Sequence, residues 1–345
     1  MLIDGVALGP GHPPYIVAEM SANHNGDIKN ALSIVEMAAR CGASAVKLQT
    51  YTADTITLDC DAPEFIISGG LWDGMRLYDL YEQAHLPWDW HQEIFDYARE
   101  QEITVFSSPF DFTAVDFLED LGCPAYKIAS FEAIDLPLIE YCGSTKKPLI
   151  ISTGLASKEE MLEAREAAYA AGCTDLVMLH CVSGYPSPPS DYNLQTMVNM
   201  ADELDVMIGI SDHTLSNTTA VASVALGACF IEKHVTLDRT GGGPDDSFSL
   251  EEAELKQLVT DCNVVSGALG TVNYELKSSE KGNLQFRRSL YFVNDKQKGD
   301  VIEAGDIRSV RPGFGAAPKF LPSFLGRRLV RDVQKNTPAL MDDVI

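Results

Sequence analysis

The sequence is short of basic residues. Lysine and arginine together number 26 against 50 aspartates and glutamates, a net charge of −24. So acidic a chain repels nucleic acid and anionic membrane surfaces, so neither is expected as a partner. It has no run of the roughly 18 apolar residues that a membrane span requires. The opening residues, Met1-Leu2-Ile3-Asp4-Gly5, carry no basic head and no apolar signal core, which points to the cytoplasm. No C-x-x-C pair occurs among the cysteines at 41, 60, 123, 142, 173, 181, 229 and 262. That argues against a zinc ribbon or a disulfide framework and for reduced core thiols. No GxxxxGK[ST] segment is present, so a Walker-type nucleotide site is not expected.

What the sequence does have is an alternating rhythm. Eight short apolar runs, Tyr15–Met20, Ala45–Thr50, Ile103–Phe110, Ala125–Ser130, Pro148–Gly154, Leu176–Ser183, Val206–His213 and Cys229–Thr236, are each followed by a helix-length segment. This pattern predicts an α/β fold, a (β/α)8 TIM barrel, whose chemistry sits at the carboxyl ends of its strands. The barrel is assigned to residues 1–268, with 1–14 covering its floor, and a polar linker to 269–286. Residues 287–345 form a second, small unit with a quasi-repeat. Asp295-x-Gln297-Lys298-Gly299 recurs 37 residues later as Asp332-x-Gln334-Lys335-Asn336, which suggests short strands with internal pseudo-symmetry.

The predicted strand ends carry Glu19, Lys47, Gln49, Ser108, Lys127, Ser130, Ser152, Ser211, His213 and His234. Side chains alternate along a strand, so Ser211 shares a face with His213, and Glu232 with His234. Two imidazoles at neighbouring strand ends suit a divalent metal with open positions for substrate. Lysines at a barrel mouth need an anion. Either Glu19 or Glu132 supplies it, or a bound phosphate or carboxylate does, and the surrounding serines favour the bound anion. Glu19 is a candidate general base. His24 and His180 are open between site and core, whereas His12, His85 and His91 read as structural. Arg311, in Arg311-Pro312-Gly313, reads on these grounds alone as a solvated turn residue.

These same residues carry a resemblance. Ala18-Glu19-Met20-Ser21-Ala22-Asn23-His24-Asn25-Gly26, Lys47-Leu48-Gln49-Thr50, Ser108-Pro109-Phe110, Tyr126-Lys127-Ile128-Ala129-Ser130, Ser211-Asp212-His213-Thr214, Glu232-Lys233-His234 and Gly243-Pro244-Asp245 resemble the sialic acid synthases. The C-terminal unit is similar to the antifreeze-like (SAF) domain of that family. The resemblance implies condensation of phosphoenolpyruvate with an aldose to give a nine-carbon 2-keto-3-deoxy sugar acid and phosphate. It implies Mn2+ or Mg2+ on His213 and His234, with Co2+ as a further candidate. It implies catalytic roles for Glu19, Lys127 and Glu132. Substrate contacts are implied for Lys47, Gln49, Ser108, Phe110, Ser130, Ser152, Ser183, Tyr185, Ser211 and Asp245. Arg311 would reach the barrel of the partner in a domain-swapped homodimer.

Within the family, Phe65-Ile66-Ile67-Ser68-Gly69-Gly70-Leu71-Trp72-Asp73 and Ser247-Phe248-Ser249-Leu250 resemble the branch that makes pseudaminic acid. Its 6-deoxy sugar would present a methyl group, for which Leu71, Trp72 and Phe248 are suitable apolar walls. The N-acetylneuraminate and legionaminate branches are the alternatives, and they tend to carry asparagine where this chain has Ser183. Outside the family, a metal-dependent barrel aldolase with a Schiff base on Lys127 and a non-catalytic carbohydrate-binding protein stay open.

Overall fold

The computed structural model describes residues 1–345, which divide into two compact units, Met1–Gly270 and Thr271–Ile345. The first opens on a hairpin, β1 (Leu2–Ile3) and β2 (Val6–Ala7). Eight parallel strands follow: β3 (Tyr15–Glu19), β4 (Ala45–Thr50), β5 (Thr104–Pro109), β6 (Tyr126–Ile128), β7 (Leu149–Ser152), β8 (Leu176–Cys181), β9 (Met207–Ser211) and β10 (Phe230–His234). They close into a barrel in chain order, with β10 pairing β3. Each falls inside one of the eight expected runs. The runs are nearly continuous in apolar residues because a barrel strand is covered on both faces, by the lumen and by the helix layer.

The helices of that layer include α1 (Ile28–Cys41), α2 (His91–Glu100), α3 (Phe112–Asp120), α4 (Thr218–Ala225) and α5 (Glu252–Leu269). Asp27 caps α1 by accepting from the Lys29 backbone N–H at 2.9 Å, and Ala31, Ile34, Val35 and Ala38 form the buried face. The N-terminal hairpin does cover the barrel floor. Ile3 and Leu8 join the barrel core, and Asp4 accepts from Thr104 at the start of β5.

Lumen residues are layered. Tyr15, Phe106 and Phe230 stack at the bottom, with ring centroids 5.6 and 6.4 Å apart, and plug the barrel. Gly209 is required there. A Cβ would lie 2.4 Å from the Phe230 carbonyl oxygen and 2.6 Å from Leu179 Cδ2. Polar side chains occupy the layers above.

The second unit is built from β11 (Ser289–Phe292) and β12 (Ile307–Val310), with a core of Leu290, Phe292, Ile302, Phe324 and Leu329. The quasi-repeat has a structural reason. Asp332 accepts from the Lys298 backbone N–H at 2.8 Å, and Asp295 accepts from the Lys335 N–H at 2.6 Å, so each repeat caps the other's turn. Part of the expected linker belongs to this unit. Residues Ser278–Phe286 form a 3-10 helix, and Gly313 packs on it, donating to Gln285 O at 2.9 Å. No helix of the chain is long and apolar enough to cross a membrane.

Candidate active site

Strand register decides which side chains meet. His234 on β10 pairs Glu19 on β3, and Glu19 pairs Lys47 on β4. Gln49 pairs Ser108 on β5, and Glu232 pairs both Val17 and Ser211. The result is a buried ionic layer. Lys47 Nζ lies 2.8 Å from Glu19 and 3.8 Å from Glu232, and Lys127 Nζ lies 3.4 Å from Glu232. Gln49 donates to Glu19 at 2.7 Å, Lys47 to Ser108 at 3.2 Å, and Ser211 to Glu232 at 3.2 Å.

Burial in this layer acts on charge in opposite directions. Burial raises the Glu19 pKa, against the pull of Lys47. Glu232 stays low despite burial, because it lies between Lys127 and Lys47. Burial lowers the Lys127 ammonium, against the support of Glu232. Carboxylates pushed apart in this way can serve as acid and base at one pH.

Above the ionic layer sit the two imidazoles, ring centroids 5.4 Å apart. His213 Nδ1 lies 2.8 Å from the Val182 carbonyl oxygen. A carbonyl can only accept, so Nδ1 carries a proton, and Nε2 is the ring nitrogen left to face a metal when the imidazole is neutral. His234 Nδ1 is buried without a hydrogen-bond partner, 3.9 Å from Asp245. Burial, followed by the charges of His213 and the lysines, holds His234 well below the usual imidazole range, in the neutral form that ligates metals. No cluster of three or more His, Cys, Asp or Glu forms a closed metal cage. The donor set therefore fits a divalent ion that keeps most of its positions for water or substrate, and does not fit a structural ion.

Beside the lysines is a cradle of hydroxyls. Ser130 Oγ accepts from the Gly154 backbone N–H at 3.2 Å, while Ser152 Oγ and Ser183 Oγ are buried without partners. Gly154 exists for this cradle, since a Cβ there would lie 2.2 Å from Ser183 Oγ and 2.8 Å from Ser130 Oγ. Glu132 ends the short turn after β6. One of its oxygens is buried and unpartnered, and burial pushes its pKa up to about 7. Open hydroxyl donors near two ammonium groups suit a phosphate or carboxylate.

The flap after β10 closes one side. Asp245 accepts from Ser21, Asn25 donates to Asp246 at 3.0 Å, and Asn23 donates to Ser249 at 2.9 Å. Tyr185 leans over the mouth, its ring 4.3 Å from that of His213 and 5.5 Å from that of Phe248. Phe110 stands further out, edge-on to Tyr51 at 5.1 Å. Leu71 is 51% exposed and forms no wall, unlike Phe248, which is buried against His234. His24 packs on Trp90, and His180 bonds to the Tyr192 carbonyl, so both belong to the core. His91 is buried and bonded to Thr50. Arg311, on the second unit, is exposed.

Sequence reasoning misplaced one ion pair and missed another. Lys127 pairs with Glu232, not with Glu19 or Glu132. Lys233, on the outer face of β10, bonds to Asp212 at 2.9 Å and to the Thr214 carbonyl at 2.7 Å. Each member of that pair directly precedes one of the two histidines, so the pair staples the strand ends that carry them. The signal was present as Asp-His and Lys-His dipeptides on what proved to be adjacent strands.

Fold and site together define a (β/α)8 barrel enzyme whose mouth sets buried lysines and open hydroxyls, a combination suited to an anion, beside a pair of metal-competent imidazoles. The chain belongs to the NeuB family, whose pattern matches residues 34–274, and residues 287–345 match the SAF domain. It is 42% identical to a pseudaminic acid synthase of Campylobacter jejuni over 320 residues, 93% of each chain. It is 41% identical to the pseudaminic acid synthase of Helicobacter pylori, over 96% of this chain and 98% of that one. The crystal structure of an N-acetylneuraminic acid (sialic acid) synthetase from Leptospira borgpetersenii in complex with citrate superposes with a TM-score of 0.74. That match has 29% identity and covers 83% of this chain and 95% of the other.

Proposed function

We propose that the chain is a pseudaminic acid synthase. It would condense phosphoenolpyruvate with 2,4-diacetamido-2,4,6-trideoxy-β-L-altropyranose to give pseudaminic acid and phosphate. The observation that carries this reading is the mouth itself, where two unpartnered serine hydroxyls lie near a pair of buried lysines beneath two imidazoles. The similarity to two pseudaminic acid synthases over more than nine-tenths of the chain supports the branch.

Lys47 and Lys127 would bind the phosphoenolpyruvate anion, exchanging part of their contact with Glu19 and Glu232 for it. Ser108, Ser130, Ser152, Ser183 and Ser211 would orient it. A divalent ion, Mn2+ or Mg2+ with Co2+ as a further candidate, would be held by His213 and His234 and would supply Lewis acidity to the sugar's aldehyde oxygen. Gln49, Tyr185 and Asp245 would line the sugar. The enol carbon attacks the aldehyde carbon, water adds at the carbon bearing the phosphate ester, and phosphate leaves. Glu132, with one unpartnered oxygen and a pKa of about 7, would take the proton of that water, while Glu19 would orient Lys47.

Two features support a homodimer in which Arg311 of one subunit completes the other's site. Phe131, Ile134, Leu155 and Leu215 are large apolar side chains left exposed on the loops after strands β6, β7 and β9. On the second unit, Arg311 and Phe314 are exposed as well. A monomer in sedimentation at assay concentrations would overturn this. Eight free thiols, seven of them buried, suit the reducing cytoplasm.

Product analysis with phosphoenolpyruvate and a panel of amino sugars tests the whole reading. Equal use of N-acetylmannosamine would reject the branch and keep the family. The depressed Lys127 ammonium favours one rival, a Schiff-base aldolase. Borohydride trapping of substrate on Lys127 would establish that rival and reject the present reading.

A further inference from the structure

The loop after β4 builds a small hairpin whose only inward side chain at the tip is Trp72. Ile66 bridges Arg76, and Ile67 donates to the Met75 carbonyl at 2.8 Å. Arg76 braces the base against three carboxylates, Asp59 at 2.9 Å, Asp61 at 2.8 Å and Asp79 at 2.6 Å. Gly69, Gly70 and Gly74, all at positive φ, turn the chain around the tip. Leu71 and Asp73, on either side of Trp72, point to solvent.

Trp72 does not. Its indole nitrogen is buried and has no acceptor. Its ring lies 6.2 Å from that of Tyr185, which in turn rests on His213 at 4.3 Å and on Phe248 at 5.5 Å. The indole therefore stands one ring outward from the imidazoles, at the edge of an aromatic wall. A buried N–H donor without a partner is costly. A hairpin braced as tightly as this one holds the donor in that position. The missing acceptor is then expected from a ligand.

The surroundings define the chemistry of that acceptor. It must be neutral or nearly so, because the wall offers rings and a neutral N–H donor, with no cation among them. It must bring a small apolar group, because the ring beside the indole is that of Tyr185, with Phe248 continuing the wall behind it. An acetamido group has both parts, a carbonyl oxygen to accept and a methyl to pack on rings. A hydroxyl has only the first.

We infer that Trp72 is a specificity-determining residue that donates its indole N–H to an acetamido carbonyl of the sugar. The inference rests on the proposed synthase reading. It also changes the role expected of Trp72 from methyl wall to hydrogen-bond donor.

The experiment compares wild type with Trp72→Phe, which keeps a ring and removes the N–H. Both are assayed with phosphoenolpyruvate and three sugars: the diacetamido sugar and two analogues, each with one acetamido replaced by hydroxyl. Trp72→Phe should raise KM for the diacetamido sugar about tenfold, the worth of one neutral hydrogen bond. It should leave KM for phosphoenolpyruvate and the melting temperature unchanged. The tenfold penalty should persist with one analogue and vanish with the other, which lacks the group that Trp72 reads. No penalty, or the same penalty with all three sugars, would overturn the assignment. If wild type forms no product from any of the sugars, the synthase reading falls, and this inference falls with it.

Discussion

Gly154→Ala is the substitution that most directly questions the anion cradle. Gly154 lies outside the left-handed region, so the backbone itself accepts alanine. The new Cβ would lie 2.2 Å from Ser183 Oγ and 2.8 Å from Ser130 Oγ, well inside van der Waals contact. Both hydroxyls must move, and Ser130 loses its bond from the Gly154 N–H. Overpacking of this kind costs about 1–3 kcal/mol of stability, so the protein should stay folded with a slightly lower Tm. Binding should suffer more. Each hydroxyl displaced from a charged ligand forfeits about 1.5–3 kcal/mol, so two together should raise KM for phosphoenolpyruvate about 100-fold or more. KM for the sugar should change little. Steady-state kinetics with each substrate varied in turn separates the two. Adding Ser183→Gly removes the closest clash and should recover part of the loss. A folded Gly154→Ala enzyme whose KM for phosphoenolpyruvate is unchanged would refute the cradle.

Other parts of the site give sharper single tests. The Glu132 carboxyl, pushed up to about 7 by burial, favours its protonated form in the folded state. Its contribution to stability is complete below the ordinary carboxylate pKa and is lost as pH rises through about 7, at most about 3 kcal/mol. Glu132→Gln should flatten that fall in Tm and remove an inflection near pH 7 from kcat/KM, and an unaltered pH profile would rule Glu132 out of proton transfer. Chelation should abolish turnover and added Mn2+ or Mg2+ restore it, whereas His213→Ala or His234→Ala should stay folded and inactive at any metal concentration. Full activity after exhaustive chelation would reject the metal. Lys233→Met leaves Asp212 buried and uncompensated, a loss of about 3–5 kcal/mol. It should lower Tm by about 10 °C. It should also weaken Mn2+ binding, as measured by electron paramagnetic resonance on the protein still folded at low temperature. Unchanged Mn2+ affinity would make the staple purely structural.

The barrel was legible because its code is local. Each run such as Leu149–Ser152 is apolar on both faces, and each strand end announces itself by a change to polar side chains. Alternation along a strand predicts that Ser211 faces with His213 and Glu232 with His234; Ser211 does bond Glu232, and the two imidazoles do meet. Helix caps were local too, as Asp27 shows. The ionic layer was harder, because it depends on closure. Glu232 is more than 100 residues from Lys127 and 185 from Lys47 in sequence, yet it contacts both once β10 pairs β3. A reading that treats each strand end alone looks for a partner nearby in sequence, which is how Glu132 was weighed for Lys127.

The same closure explains why the site can wait for an anion. Two lysines buried alone would be driven neutral, and two glutamates alone protonated. Placed together, the four offset part of that cost: Lys47 and Glu232 are held in their charged forms, burial still pulls Glu19 and Lys127 toward neutrality, and all are partly satisfied already. An incoming phosphate must therefore outcompete Glu232 for the ammonium groups. The unpartnered hydroxyls of Ser152 and Ser183 make that exchange favourable, because they have donors to give and no other acceptor in reach. Charge holds the lysines ready, and the hydroxyls discriminate between the resident carboxylate and the ligand. A residue-by-residue reading of strand ends lists both sets, but only the closed barrel shows that one is already engaged and the other is free.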